Sequence, residues 1–390
     1  MSESAALAPS QGSARIAPLD GLRGVAAVIV LIHHSALTIP WLAAPSYGTF
    51  VPGVPAAWLI YSPLHIVWTG TEAVYLFFML SGLVLFRSAN RPNFDWFSYF
   101  PSRILRLYLP VVAAVAFAAA SFLAVPRVAH GLSAWLDRRA GVYDLPSMLT
   151  DLLLITGASG RLSPLWSLQW EVLFSILLPL YVILFRSSRL WLNLGLSVIA
   201  MMIGAHFGTP ALMYLSMFAI GASLGSGWER IATAVDRARG RRWWHPAAAG
   251  AFVCCIVLAM SFWTLAGLQL DWLRGGLSLP VIGTTISLRT LTLPLVVIGL
   301  TGLLILSATW EPIAAFMSSR VVQWLGLISF SLYLVHEPIV VTAAYLTEGN
   351  QWAVLLAAAL AIAFAALFHR FIEEPAHLLS RRVKVGTLTT

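Results

Sequence analysis

The stretch "LDGLRGVAAVIVLIHH", residues 19–34, decides how this chain is read. It is an apolar run with Asp20 and Arg23 at one end and His33 and His34 at the other. A helix turns 100° per residue, so the eleven steps from Arg23 to His34 make three turns plus ~20°. The two side chains share a face and lie ~16 Å apart along the axis. Asp20 falls within ~40° of His34 on that face. Small Ala26 and Ala27 lie along or near the stripe, which lets other helices approach. His33 points ~100° away. Hydrocarbon solvates neither imidazole nor guanidinium, so a polar line on such a helix is expected to be enclosed by other helices.

The rest of the chain supports a membrane setting. Of 390 residues, 59% are hydrophobic and only 10% charged, and mean hydropathy is +0.83. A soluble domain carries roughly 25% charged residues. Apolar runs of ~20 residues imply helices rather than a β-barrel. The expected fold is an all-α integral membrane protein with about ten transmembrane helices, near 20–40, 66–86, 106–125, 166–185, 190–205, 210–226, 248–266, 290–308, 321–345 and 351–370. The run 148–156 is too short to span and is expected to lie at the interface or re-enter. The segment ahead of residue 19 is polar with no cleavage pattern, so the first run reads as a permanent helix. Residues 1–14 are expected to form a disordered tail, 15–380 the transmembrane domain and 381–390 a basic tail.

With the N-terminus inside, only six of the 24 Lys and Arg residues fall outside: Arg127, Arg138, Arg139, Arg161, Arg274 and Arg289. That bias predicts both termini in the cytoplasm and a place in the cytoplasmic membrane. The net charge of +8 then reflects inner loops and anionic lipid headgroups, above all the five arginines of 228–246, with no nucleic-acid partner. Cys254 and Cys255 are neighbours ill-placed for a bridge, and no metal site is expected. The outer loop 126–165 is the only one long enough to form a small lid.

Six segments, in order, resemble the acyltransferase-3 family. In "LDGLRGVAAVIVLIHH" Arg23 and His34 fit its arginine, ten residues, histidine signature. "GTEAVYLFFMLSGLVLF" (70–86) resembles its FFxLSG segment, and "PSRILRLYLP" (101–110) its R-x-x-R, matched by Arg103 and Arg106. "PLWSLQWEVLF" (164–174) resembles W-S-L-x-x-E, matched by Trp166, Ser167, Leu168 and Glu171. "LGLISFSLYLVHEPI" (325–339) resembles S-Y-S-L-Y-L-x-H, with Phe330 in place of tyrosine. "FIEEPAHLL" (371–379) resembles the terminal I-E-x-P segment. Together they cover about 15–380.

The resemblance implies a membrane O-acyltransferase that moves an acyl group, often acetyl, from acyl-CoA to a hydroxyl. The acceptors it implies are cell-envelope polysaccharide, lipid-linked sugar or a secondary metabolite. Acyl-CoA would be a cosubstrate, with no permanently bound cofactor. Some relatives carry an extracytoplasmic hydrolase-like domain; none is expected from this sequence, so that step would fall to a separate partner or not occur.

The residue chemistry agrees. Acyl transfer to an alcohol needs a base near the hydroxyl, and neutral His34 is the first candidate. A covalent acyl-histidine remains an alternative. Arg23, Arg103 and Arg106 would meet the donor phosphates, which suit guanidinium forks. Glu171, read as one turn into its helix from the outer side, would orient an acceptor hydroxyl or the histidine, with Ser167 on its face. His336 is expected past the membrane middle, towards the acceptor, with Tyr333 on nearly the same face. Trp166 reads equally well as an interface residue. Glu72 is a further buried-carboxylate candidate, and Glu337 with Pro338 would mark a kink. His65, His130, His206, His245, His369 and His377 fall at loops or helix ends and take no role. The oxyanion of the attack needs donors that the sequence does not identify. The rival reading is a secondary transporter with an Arg23–His34 path.

Overall fold

The computed structural model describes residues 16–49, 51, 53, 57–129, 131–187, 189–270, 277–279 and 284–386. The expected tail 1–14 lies outside the described residues.

The helices that position the site are α1 (Ala17–Ala36), α2 (Gly70–Ala89), α3 (Trp96–Ala124), α4 (Leu145–Leu153), α5 (Leu165–Phe185), α6 (Leu190–His206), α7 (Pro210–Arg239), α8 (Trp244–Ala259), α9 (Ser261–Gly267), α10 (Leu288–Thr309), α11 (Arg320–Leu327), α12 (Ser329–Leu346) and α13 (Gln351–Phe368). A π-helical turn, His369–Glu373, leads into α14 (Glu374–Gly386). Each of the ten apolar segments is helical. Among the described residues eight helices are long and apolar enough to cross a membrane, or nine if α8 and α9, bent by 62°, count as one. Helix α6 is apolar but shorter. The protein is therefore a multi-pass helical membrane protein. A two-stranded antiparallel hairpin, β1 (Leu277–Leu279) with β2 (Thr284–Ile286), is the one departure from helix among the described elements.

Packing turns on small residues, as it must where lipid offers no hydrophobic drive between helices. Helices α2 and α7 cross at Gly82 and Gly221, where a Cβ would overlap the backbone of Phe218 and of Met79 respectively. Helix α1 is the hub. It packs against α2, α11 and α12, and its two sides belong to two apolar clusters, one with Leu22, Ala26 and Val30 and the other with Ala27 and Leu31.

Two local expectations change. The segment read as one helix over 321–345 is broken at Ile328 into α11 and α12, and α12 runs on through Pro338. Glu337 and Pro338 therefore do not mark the interruption. The short run near 148–156 is α4, capped by Asp144 on the Ser147 amide at 3.0 Å, with Leu145, Leu149 and Leu153 exposed. Asp151 pins it by accepting from the Tyr143 hydroxyl at 2.7 Å and from the Ser159 amide at 2.6 Å. Residues 126–129 and 131–164 thus fold as a lid on one end of α12 and α5.

Candidate active site

Two histidines from distant parts of the chain meet under the lid. His34 Nδ1 lies 2.7 Å from His336 Nε2, and His336 Nδ1 lies 2.8 Å from the Leu332 carbonyl. A carbonyl only accepts, so His336 carries its proton on Nδ1. In its neutral form its Nε2 then accepts, and His34 donates from Nδ1. That leaves His34 Nε2 with a lone pair and no proton, the tautomer a general base needs. The rings are nearly parallel, at 10°.

The lid supplies the wall. Trp135 stacks on His34 at 5.3 Å between centroids and carries the Arg139 guanidinium 3.9 Å from its own ring centre. Arg139 pairs with Glu337 through Nε and donates to the Trp135 carbonyl at 3.1 Å. Glu337, 1% exposed, also accepts from the Ser163 amide at 2.7 Å and hydroxyl at 2.6 Å. A closed circuit results: His34, His336, the adjacent Glu337, Arg139, Trp135 and back to His34. Three of its members, His34, Trp135 and Arg139, line a cavity of about 320 Å³ together with His33, Glu72, Trp166, Trp263, Arg289 and Tyr333, and His336 and Glu337 stand behind that wall.

His33, which points away from the His34 stripe, still reaches this cavity. Its Nδ1 is tied to the Trp68 carbonyl at 2.9 Å. The close approach needs glycine at 70, because a Cβ there would overlap the His33 ring. Gly70→Ala is expected to displace that ring and lower turnover about tenfold, by misplacement near the reacting centre. An unchanged rate in an assay of the purified variant would detach His33 from the site.

The arginines gather on the other side of Tyr333. A narrower cavity of about 30 Å³ is lined by Arg23, Ser81, Ser167, Glu171, Phe330 and Tyr333. Tyr333 borders both cavities, and its hydroxyl lies 2.6 Å from Ser167 Oγ. Arg23 and His34 therefore bracket one polar line, as their spacing implies, with the Tyr333–Ser167 bond between them. Arg103 donates to Glu171 at 2.6 Å and to Ser175 Oγ at 3.1 Å. Arg106 is exposed and lies within electrostatic reach of Arg23, Arg103 and Glu373.

Several expected positions shift. Glu171 meets Arg103 and Ser81, not a histidine and not the His34 cavity. Leu162 in the lid and Leu165 at the first turn of α5 are both fully buried, so α5 starts beneath a layer of protein rather than at the surface its apolar run suggests. Glu72 lines the His34 cavity and accepts from Thr69. Trp166 lines it too and packs on Tyr214 at 5.2 Å, so it is a site wall rather than a belt residue. Asp20 lines neither cavity; its backbone carbonyl sits against Gly326.

Residues read as having no role, or another one, also have defined partners. Glu337, read as a kink marker, closes the circuit. Arg139 was counted only as one of six outer basic residues, and that rarity was the available signal. Buried Glu373 accepts from Ser331 Oγ at 2.6 Å and lies 3.0 Å from His369 Nδ1 and 3.7 Å from His377 Nε2. His65 is buried, 3.0 Å from the Ile60 carbonyl through Nδ1, with its ring 4.1 Å from that of Trp263.

Residues 16–370 match a family model described as an acyltransferase domain, that of the acyltransferase-3 family. The chain is 27% identical to the protein named acyltransferase MdmB of Streptomyces mycarofaciens, over 96% of this chain and 95% of that one. No solved structure matches.

Proposed function

The chain belongs to the acyltransferase-3 family and is a multi-pass membrane acyltransferase, and from that premise we propose that it moves an acyl group, acetyl first, from acyl-CoA to a hydroxyl. The acceptor class is a cell-envelope carbohydrate, a lipid-linked sugar or a secondary metabolite. The observation that carries this reading is the hydrogen-bond chain from the Leu332 carbonyl through His336 to His34. It leaves an unprotonated Nε2 on a residue that lines a polar, aromatic-walled cavity.

The acceptor hydroxyl oxygen attacks the thioester carbonyl carbon while its proton passes to His34 Nε2. The carbonyl π pair moves onto oxygen. Collapse re-forms the carbonyl, breaks the carbon–sulfur bond and expels the CoA thiolate, which takes the proton back from His34. His336 holds His34 in the required tautomer and shares the positive charge while it lasts.

Arg23, Arg103 and Arg106 are proposed to receive the donor phosphates from the cytoplasm, with both termini on that side. The basic bias of the loops supports this orientation. The membrane is then the cytoplasmic membrane. A separate extracytoplasmic transferase would be a partner only if the acyl group is handed on outside.

The test uses the full protein in lipid nanodiscs with radiolabelled acetyl-CoA and an envelope or metabolite extract from the native cell. Thioester loss matched by label in an oxygen ester supports the reading; intact acetyl-CoA under every acceptor fraction sinks it. In the same assay Arg103→Lys keeps the charge but loses the fork that spans Glu171 and Ser175. One charge-assisted contact is worth about 1.5–3 kcal/mol, so KM for acetyl-CoA should rise about 10- to 150-fold. An unchanged KM would make Arg103 a structural partner of Glu171 and nothing more.

A further inference from the structure

We propose that Arg139 is a catalytic residue that stabilises the oxyanion of the tetrahedral intermediate, and that Glu337 with Ser163 positions it for that task. The inference rests on His34 acting in the cavity it lines.

Attack on a thioester puts a full negative charge on the former carbonyl oxygen, and donors must already be aimed where it appears. Several polar groups of the cavity are spoken for. The Tyr333 hydroxyl is bonded to Ser167. Both the amide and the hydroxyl of Ser163 are spent on Glu337. Of the two arginines lining the cavity, Arg289 is exposed and lies over Phe262 at 4.3 Å, where its charge bears on Tyr75 and Tyr214. The charge of Arg139 bears instead on His33 and His34.

Arg139 is also preorganised. Its side chain is 9% exposed. Its guanidinium has five N–H groups. Glu337 takes the one on Nε and the Trp135 carbonyl one on Nη1. Three remain, on a residue that borders the cavity. The plane is further held over Trp135, the same ring on which His34 stacks. Base and cation are thus mounted on one indole.

The charges close as well. Proton transfer to His34 creates an imidazolium and an oxyanion together. The guanidinium meets the oxyanion, and Glu337, next to His336, meets the positive charge that His34 shares with its partner. A resident ion pair thereby opposes a transient one of reversed order, with the charged groups already held in place. Arg139→Gln would keep a polar side chain with two N–H donors but lose the charge.

The test compares Arg139→Ala, Arg139→Lys and the paired variant Arg139→Gln/Glu337→Gln with His34→Ala, all as full-length protein in nanodiscs with acetyl-CoA. The paired variant leaves no unpaired buried charge, so it guards against misfolding of the single substitutions. Loss of one oxyanion donor costs about 10²- to 10³-fold in kcat. The expected result is a fall of that size in Arg139→Ala and in the paired variant, with KM for acetyl-CoA within about threefold of wild type and Arg139→Lys in between. Millimolar guanidinium should restore part of the Arg139→Ala rate. If the paired variant keeps wild-type kcat while His34→Ala is dead, the role of Arg139 falls and the proposed chemistry stands. If His34→Ala also keeps wild-type kcat, both fall. A raised KM with unchanged kcat would make Arg139 a binding group and overturn the assignment.

Discussion

His34→Ala is expected to abolish acyl transfer while leaving the protein inserted and folded. A positioned general base contributes about 10²- to 10⁴-fold, and this substitution also removes the partner of His336 in the relay. The fold should survive, because His34 is half-buried against a cavity and its removal leaves only the His336 Nε2 lone pair without a partner. His336→Ala should cost less, about 10²-fold at most, since the base remains but its tautomer is no longer imposed. His33→Ala should be milder again. His33 is tied to the Trp68 carbonyl and stands outside the circuit that runs through Glu337 and Arg139. The measurement is acetyl-CoA turnover on purified protein, paired with a monodisperse elution profile as the control for folding. Wild-type turnover in His34→Ala would remove the basis of the mechanism.

The first helix was legible from sequence because its information is periodic. An eleven-residue interval returns to the same face of any helix, so Arg23 and His34 bracket one polar line whatever surrounds them. The apolar runs were legible for a similar reason: length against a ~30 Å hydrocarbon core is a local property. Depth was not. The apparent start of its run puts Glu171 near a surface, yet Leu165 at that start and Leu162 in the lid are both fully buried, and the carboxylate meets Arg103 instead. Partnership across the fold was not legible either. Nothing local links Arg139 in a loop to Glu337 in a helix, 198 positions away. A carboxylate beside Pro338 looks like helix punctuation until its three donors are seen. Even there the sequence carried a hint. On the orientation that the basic residues favour, Arg139 is one of six that fall on the outer side, and such a residue needs a reason.

Glu337→Leu should be the most destabilising single substitution in the site. The carboxylate is 1% exposed and its arginine partner 9%. Removing it strands the Arg139 guanidinium in a buried setting and frees the Ser163 amide and hydroxyl as well. Breaking a buried pair from one side costs about 3–5 kcal/mol, most of it from the charge left behind. The effect reaches beyond Glu337. The Arg139 link ties the lid to α12, so its loss should also loosen Trp135 from His34, and turnover should fall even in the fraction that remains folded. The double variant Arg139→Met/Glu337→Leu separates the two consequences. It has no stranded charge and similar bulk, and such replacements are often neutral or stabilising. Its thermal midpoint in detergent should return close to wild type, a coupling that a double-mutant cycle reads directly. Its activity should not return, because the guanidinium itself is gone. A Glu337→Leu variant as stable as wild type would show that Arg139 reaches solvent or another anion once released. The closed circuit around His34 would then not be what holds the lid in place.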